Sequence, residues 1–210
     1  MLVEVAGVVV AFGKRRILDG VSLEVASGSS VAVVGPSGSG KTTLAYCVSG
    51  ALKPTEGQVR IDGRDPAKGA NVALVQQTTN AVGRRNCREN IAMGGLARSM
   101  TRRAALAEAD DAIAQVGLAA VSSLRAHLLS GGELQRLAIA RAMVMRARVV
   151  VADEPTGQLD ESTSEPIIDT LLQTATMNGV LILVTHDLVA ARKCDRVVTL
   201  SDGRLLNDKG

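Results

Sequence analysis

Residues 30–34, Ser-Val-Ala-Val-Val, form an unbroken apolar run of strand length, and residues 42–49 follow a helical pattern. Between them stand Gly35, Pro36, Ser37, Gly38, Ser39, Gly40 and Lys41, with Thr42 and Thr43 opening the helix. This G-x-x-x-x-G-K-[ST] order in a strand, loop, helix setting leaves few options: the strand is a core strand and the helix packs back beside it. Gly35, Gly38 and Gly40 let the loop's backbone N–H groups turn inward around phosphate oxygens, and the dipole of the following helix adds positive potential. Lys41 then supplies a point charge to the β- and γ-phosphates, and the Thr42 hydroxyl is placed to ligate Mg²⁺. A Gly-rich turn with a solvated lysine would need neither flank, so the segment is read as a nucleotide site.

A second apolar run, residues 149–152, releases Asp153 and Glu154 at its C-terminal end. Beside a phosphate loop, adjacent carboxylates divide labour. Asp153 at the strand end would hold the Mg²⁺ hydration shell, and Glu154 would point at the attacking water as general base. Taken alone, the pair could also be a surface Asp-Glu opening a turn before Pro155.

Short β-branched runs recur at 2–10, 21–25, 59–61, 72–75, 180–184 and 197–200. The early ones are separated by turn residues. The later ones are nearly continuous in apolar character, as parallel strands covered on both faces are. From 77 to 129 strands vanish and alanine becomes frequent, with helical spacing over 104–116. The expected fold class is α/β, with a mixed β-sheet core, an N-terminal antiparallel β part and an inserted helical subdomain at 77–129. Its 210 residues suffice for one such domain, 1–210.

Composition removes several functions. Lys plus Arg is 24 against 21 for Asp plus Glu, a net charge of +3. The only rings of the Phe, Tyr and Trp class are Phe12 and Tyr46. Without stacking platforms or a dense basic stripe, no nucleic acid partner is expected. Three cysteines, an odd number with no C-x-x-C spacing, fit a reducing cytosolic compartment. No apolar stretch approaches the roughly 20 residues of a membrane helix, and the first seven residues lack the pattern of a signal peptide.

The remaining residues resemble one family, the nucleotide-binding subunit of ATP-binding-cassette (ABC) transporters, which has a P-loop NTPase fold. The resemblance runs from Phe12 to about Arg204 and rests on Leu129-Ser130-Gly131-Gly132-Glu133, which reads as the family's signature motif. Ser130, Gly131 and Gly132 open the helical stretch 133–145, so bare N–H groups and a hydroxyl await an anion. The resemblance implies that this anion is the γ-phosphate held by a second ATPase subunit, two chains sandwiching two ATP molecules head to tail. The family's usual fifth residue is Gln. Glu133 here either sets a carboxylate near the polyphosphate, loosening the sandwich, or caps its own helix and faces away.

Further roles carry over on matching positions. Gln77, or its neighbour Gln76, resembles the glutamine that reaches Mg²⁺ and water. Asp160, in Gly157-Gln158-Leu159-Asp160, resembles the residue that contacts the other subunit, although it could equally cap the next helix. His186, after the strand at 180–184, resembles the switch histidine that meets the γ-phosphate; His127 reads as an ordinary surface or packing residue. Phe12 resembles the adenine-stacking aromatic, or is a core residue of a hairpin.

The resemblance implies ATP and Mg²⁺ as cofactors, a homodimer, a separate transmembrane permease, and a cytoplasmic location on the inner face of the cell membrane. The stretch 153–160 is similar to the macrolide-efflux and lipoprotein-releasing type, which tilts the expectation toward export or extracytoplasmic mechanical work. A non-transport ABC ATPase regulating a cell-envelope system is the alternative. Arg84, Arg85, Arg88, Arg98, Arg102 and Arg103 are expected either to face the permease or anionic headgroups, or to form a solvated face balanced by Glu108, Asp110 and Asp111.

Overall fold

In the computed structural model the described residues are 2–69, 71–76, 81–157, 161–176 and 179–209. Valine-rich runs build strand β1 (Leu2–Phe12) and strand β2 (Arg15–Ala26), the second alternating apolar and polar and burying every second residue over its C-terminal half. They pair antiparallel, Val5 opposite Leu23 and Phe12 opposite Arg15, and β4 (Glu56–Ile61) joins the other edge of β1 antiparallel. These form a three-stranded sheet in the order β2-β1-β4.

The second sheet contains the continuous apolar runs. Strands β3 (Ser30–Val34), β6 (Val149–Asp153) and β7 (Val180–Val184) are buried at every position, which is why their sequences do not alternate. With β5 (Val72–Val75), β8 (Arg196–Ser201) and β9 (Arg204–Lys209) the order is β5-β6-β7-β3-β8-β9. β7 pairs parallel with both β3 and β6, and β8 pairs parallel with β3. β9 folds back on β8 through Asp202 and Gly203, both at positive φ, as a two-residue Asp-Gly hairpin requires. Helix α1 (Lys41–Ser49) follows β3. The fold is the expected mixed α/β arrangement.

The chain groups into two compact units, one of residues 1–74, 148–154 and 175–210, the other of residues 75–147 and 155–174. The second unit packs α2 (Cys87–Ala97), α3 (Arg102–Gln115) and α4 (Gly131–Met145) around an alanine-rich core that includes Ile91, Ala105, Ala109, Ile113, Leu137 and Ala140. Small side chains let these helices approach closely. A Cβ on Gly94 would overlap the carbonyl oxygen of Arg141 and lie 2.7 Å from the amide nitrogen of Met145, both on α4. Gly94→Ala is therefore expected to destabilise the protein by about 2–3 kcal/mol through overpacking, lowering the thermal midpoint by roughly 5–10 °C in calorimetry. A midpoint within about 1 °C of wild type would show that α2 and α4 separate freely.

The same unit pairs three arginines of the cluster with acids. Arg88 forks onto Asp110, Arg98 reaches Glu108 at 2.7 Å and Arg102 reaches Glu89 at 3.2 Å. The Arg88 and Arg102 pairs are exposed, where an ion pair contributes little to stability, and the Arg98 pair is partly buried. Cys47, Cys87 and Cys194 are free, buried thiols. Among the described residues, no helix is long and apolar enough to cross a membrane.

Candidate active site

The phosphate loop leaves β3 and ends on α1, whose N-cap is Gly40. Gly40 has φ of 103°, and a Cβ there would lie 2.8 Å from the Ile17 carbonyl oxygen, so only glycine fits the turn. With no side chain to cap it and no acid in its first turn, α1 presents N–H groups that an anion can accept. Ser39 is buried and its Oγ has no hydrogen-bond partner among the described residues. Lys41 folds over the loop, its Nζ donating to the carbonyls of Gly35 at 2.8 Å and Pro36 at 3.0 Å. An uncapped helix start, an orphaned hydroxyl and an ammonium held at the loop's mouth fit a polyphosphate.

Two further strand ends meet this loop within the first compact unit. Asp153 closes β6, and its Oδ1 accepts from Thr42 Oγ1 at 3.2 Å. Burial pushes the Asp153 carboxyl above its usual range, against the opposing hydrogen bond from Thr42. A buried carboxylate beside a hydroxyl is a hard-oxygen pair, the donor chemistry that suits Mg²⁺ completed by phosphate and water. Thr42 and Asp153, paired across the sequence, thus fit the ion.

Glu154 lies one residue beyond the strand at φ of 50°, in the left-handed region, with its N–H on the Val184 carbonyl at 2.8 Å. Such a backbone is sparsely populated for a glutamate and occurs where surrounding structure imposes it. Both carboxylate oxygens are engaged: His186 Nδ1 lies 2.9 Å from Oε1, and Thr185 Oγ1 donates to Oε2 at 3.2 Å. Because an ionised carboxylate only accepts, this pairing puts the ring proton on Nδ1. His186 is 75% exposed on its side chain, so the ring can swing to another partner. Sequence reasoning named Asp153, Glu154 and His186 but passed over Thr185. Its one signal is a hydroxyl ending an apolar strand just before the histidine.

The signature segment lies in the second compact unit. Ser130 is the N-cap of α4 and forms a reciprocal capping box with Glu133: Ser130 Oγ accepts from the Glu133 N–H at 3.4 Å, while Glu133 Oε2 accepts from the Ser130 N–H at 2.7 Å and from its hydroxyl at 2.8 Å. Those hydrogen bonds hold the Glu133 carboxyl below its usual range. Of the two expectations for Glu133, the geometry is that of a cap on its own helix. Gly131 and Gly132 form the first turn behind it.

Phe12 ends β1 at 61% exposure, which removes the core reading and leaves a ring open to a ligand. His127 Nδ1 lies 2.8 Å from the Gly83 carbonyl oxygen, a local packing role. Gln77 and Asp160 lie outside the described residues, whereas Gln76 directly follows β5.

A family model described as ABC transporter matches residues 18–157. The lipoprotein-releasing system ATP-binding protein LolD of Chromohalobacter salexigens is 41% identical over 203 residues, covering 91% of this chain and 86% of LolD. The Fe(3+) ions import ATP-binding protein FbpC of Streptomyces coelicolor is 40% identical over 210 residues, covering 97% of this chain and 60% of FbpC. Among solved structures, the dimeric post-hydrolysis state of the ATP-binding cassette MJ0796 with ADP and Pi aligns with a TM-score of 0.91 at 28% identity, covering 99% of this chain and 97% of that one.

Proposed function

As the chain belongs to the ABC transporter family and is an ATP-hydrolysing subunit of that kind, we propose that it drives a separate membrane permease in export or extracytoplasmic mechanical work. In this reading it sits at the cytoplasmic face of the membrane through that partner. The observation that carries the ATPase chemistry is the placement of Lys41, Thr42, Asp153, Glu154 and His186 at the C-terminal ends of three neighbouring parallel strands, where open α/β sheets bind ligands.

The roles follow from the atoms. Loop N–H groups from Gly35 to Thr43 and the Lys41 ammonium bind the phosphates, and Phe12 stacks on the base. Thr42 and Asp153 would hold Mg²⁺, which when bound neutralises charge on the phosphate oxygens, and Gln77 would reach the same region. Glu154 takes the proton of the attacking water, and His186 leaves its oxygen to meet the γ-phosphate. Ser130, Gly131 and Gly132, with Glu133 fixing the turn, receive the γ-phosphate of ATP bound by the second copy, and Asp160 contacts that copy.

Export is supported by likeness to a lipoprotein-releasing ATPase. A second reading, import, is favoured by the 40% identity to an Fe(3+) importer subunit. The two separate by purification of tagged Glu154→Gln from gently solubilised membranes with ATP and Mg²⁺. The expected companion is a multi-span protein with a large extracytoplasmic domain. A permease without one would favour import, and recovery of soluble proteins alone would overturn the transport reading.

A further inference from the structure

Thr185 stands immediately after β7 and is 0% exposed. Its hydroxyl accepts the Asp187 N–H at 3.0 Å and donates to Glu154 Oε2 at 3.2 Å. A hydroxyl has a single proton, so with a lone pair given to Asp187 its proton is directed at the carboxylate. The backbone around it is fixed as well. The Thr185 N–H donates to the Val33 carbonyl at 3.2 Å, and Asp187 caps the short helix Leu188–Ala191 through the N–H of Val189 at 2.7 Å. Thr185 is thereby tied to the strand that leads into the phosphate loop, to the carboxylate, and to the start of the next helix.

The two grips on Glu154 differ in kind. His186 holds Oε1 through a long, exposed side chain that can rotate away, whereas Thr185 holds Oε2 through a short, buried one that cannot. Glu154 itself has a left-handed backbone and a flexible side chain, so nothing intrinsic to the residue fixes its carboxylate. We propose that Thr185 is the positioning residue for Glu154: its hydroxyl anchors Oε2, so that when His186 releases Oε1 that oxygen alone is presented to water. A general base displaced by about 1 Å can lose on the order of a hundredfold in rate, which is the scale of effect such an anchor controls.

The proposal rests on Glu154 acting as the general base, and the experiment separates the two ideas. Steady-state ATP hydrolysis and equilibrium ATP binding are measured for wild type, Thr185→Val, Thr185→Ser, Glu154→Gln and the Glu154→Gln/Thr185→Val double variant. Valine keeps the branched shape without the hydroxyl. It is expected to lower kcat by about 10- to 100-fold with KM and ATP affinity within about twofold, and serine to restore kcat to within about threefold. With the base already neutralised, adding Thr185→Val should cost nothing further, because both changes remove one function. Wild-type kcat in Thr185→Val, a serine variant as impaired as valine, or a further loss in the double variant each overturns the positioning role. A KM that rises in step with the fall in kcat also overturns it, assigning Thr185 to the phosphate site. Full activity in Glu154→Gln would remove the base assignment itself, whereas an inactive Glu154→Gln beside a fully active Thr185→Val removes the proposal alone.

Discussion

Replacing Glu154 with glutamine is expected to slow ATP turnover by about 10²- to 10⁴-fold, the contribution of a positioned general base. The amide has the size of the carboxylate and its oxygen can still accept the Thr185 hydroxyl, while its N–H faces His186 Nδ1, which accepts once the exposed ring takes its other tautomer; the proton acceptor is lost. Because the proposed phosphate site is the separate Gly35 to Thr43 loop, ATP affinity should stay within about twofold. The outcome is a chain that binds ATP, pairs with a second copy and does not progress. Single-turnover hydrolysis gives the rate, and size-exclusion chromatography with ATP and Mg²⁺ gives the pairing. An unchanged turnover number would exclude Glu154 as the base and leave its left-handed backbone and paired oxygens without a catalytic role.

Lys41→Ala has the next largest effect. In the structure the ammonium closes the loop on itself, donating to the carbonyls of Gly35 and Pro36, and its side chain is buried. In the proposed site, the same group would exchange those neutral acceptors for the charged oxygens of arriving phosphates. Charge-assisted hydrogen bonds are worth about 2–3 kcal/mol, so alanine should weaken ATP binding by roughly 30- to 150-fold. The two carbonyls also lose their donor, costing about 1 kcal/mol in the nucleotide-free chain. Both consequences appear in one experiment: thermal unfolding across an ATP titration should begin lower and rise less. Equal affinity in the variant would place the phosphates away from this loop.

How much of this was legible in the sequence depended on whether a residue's role is local. β3, β6 and β7 announced themselves because strands buried on both faces must be apolar throughout, and the loop announced itself because its geometry requires glycine at fixed spacing. Asp153, Glu154 and His186 could be named from their positions at strand ends. Thr185 could not, since threonine is an ordinary strand residue and its meaning comes from Glu154, 31 positions earlier in the chain. Strand β9 escaped because its exposed edge carries few apolar residues, although the Asp202-Gly203 turn before it was a usable signal. The arginine cluster was legible only as two alternatives. The sequence offered Glu108 and Asp110 as balancing acids, but which arginine each meets depends on helix packing, which brings them against Arg98 and Arg88. Glu133 was ambiguous for a related reason: serine followed three residues later by glutamate marks a capping box, but the same residues also belong to a ligand-binding motif.

The exposed ring that ends β1 has a practical corollary. With no tryptophan and a single tyrosine, the chain is almost dark in near-ultraviolet absorption and emission. A tryptophan introduced at Phe12, on a hairpin edge where it displaces no core neighbour, would be the protein's sole indole. Its fluorescence would then come from one known position, the one we propose stacks on the base, letting nucleotide arrival and departure be followed in real time without a labelled ligand.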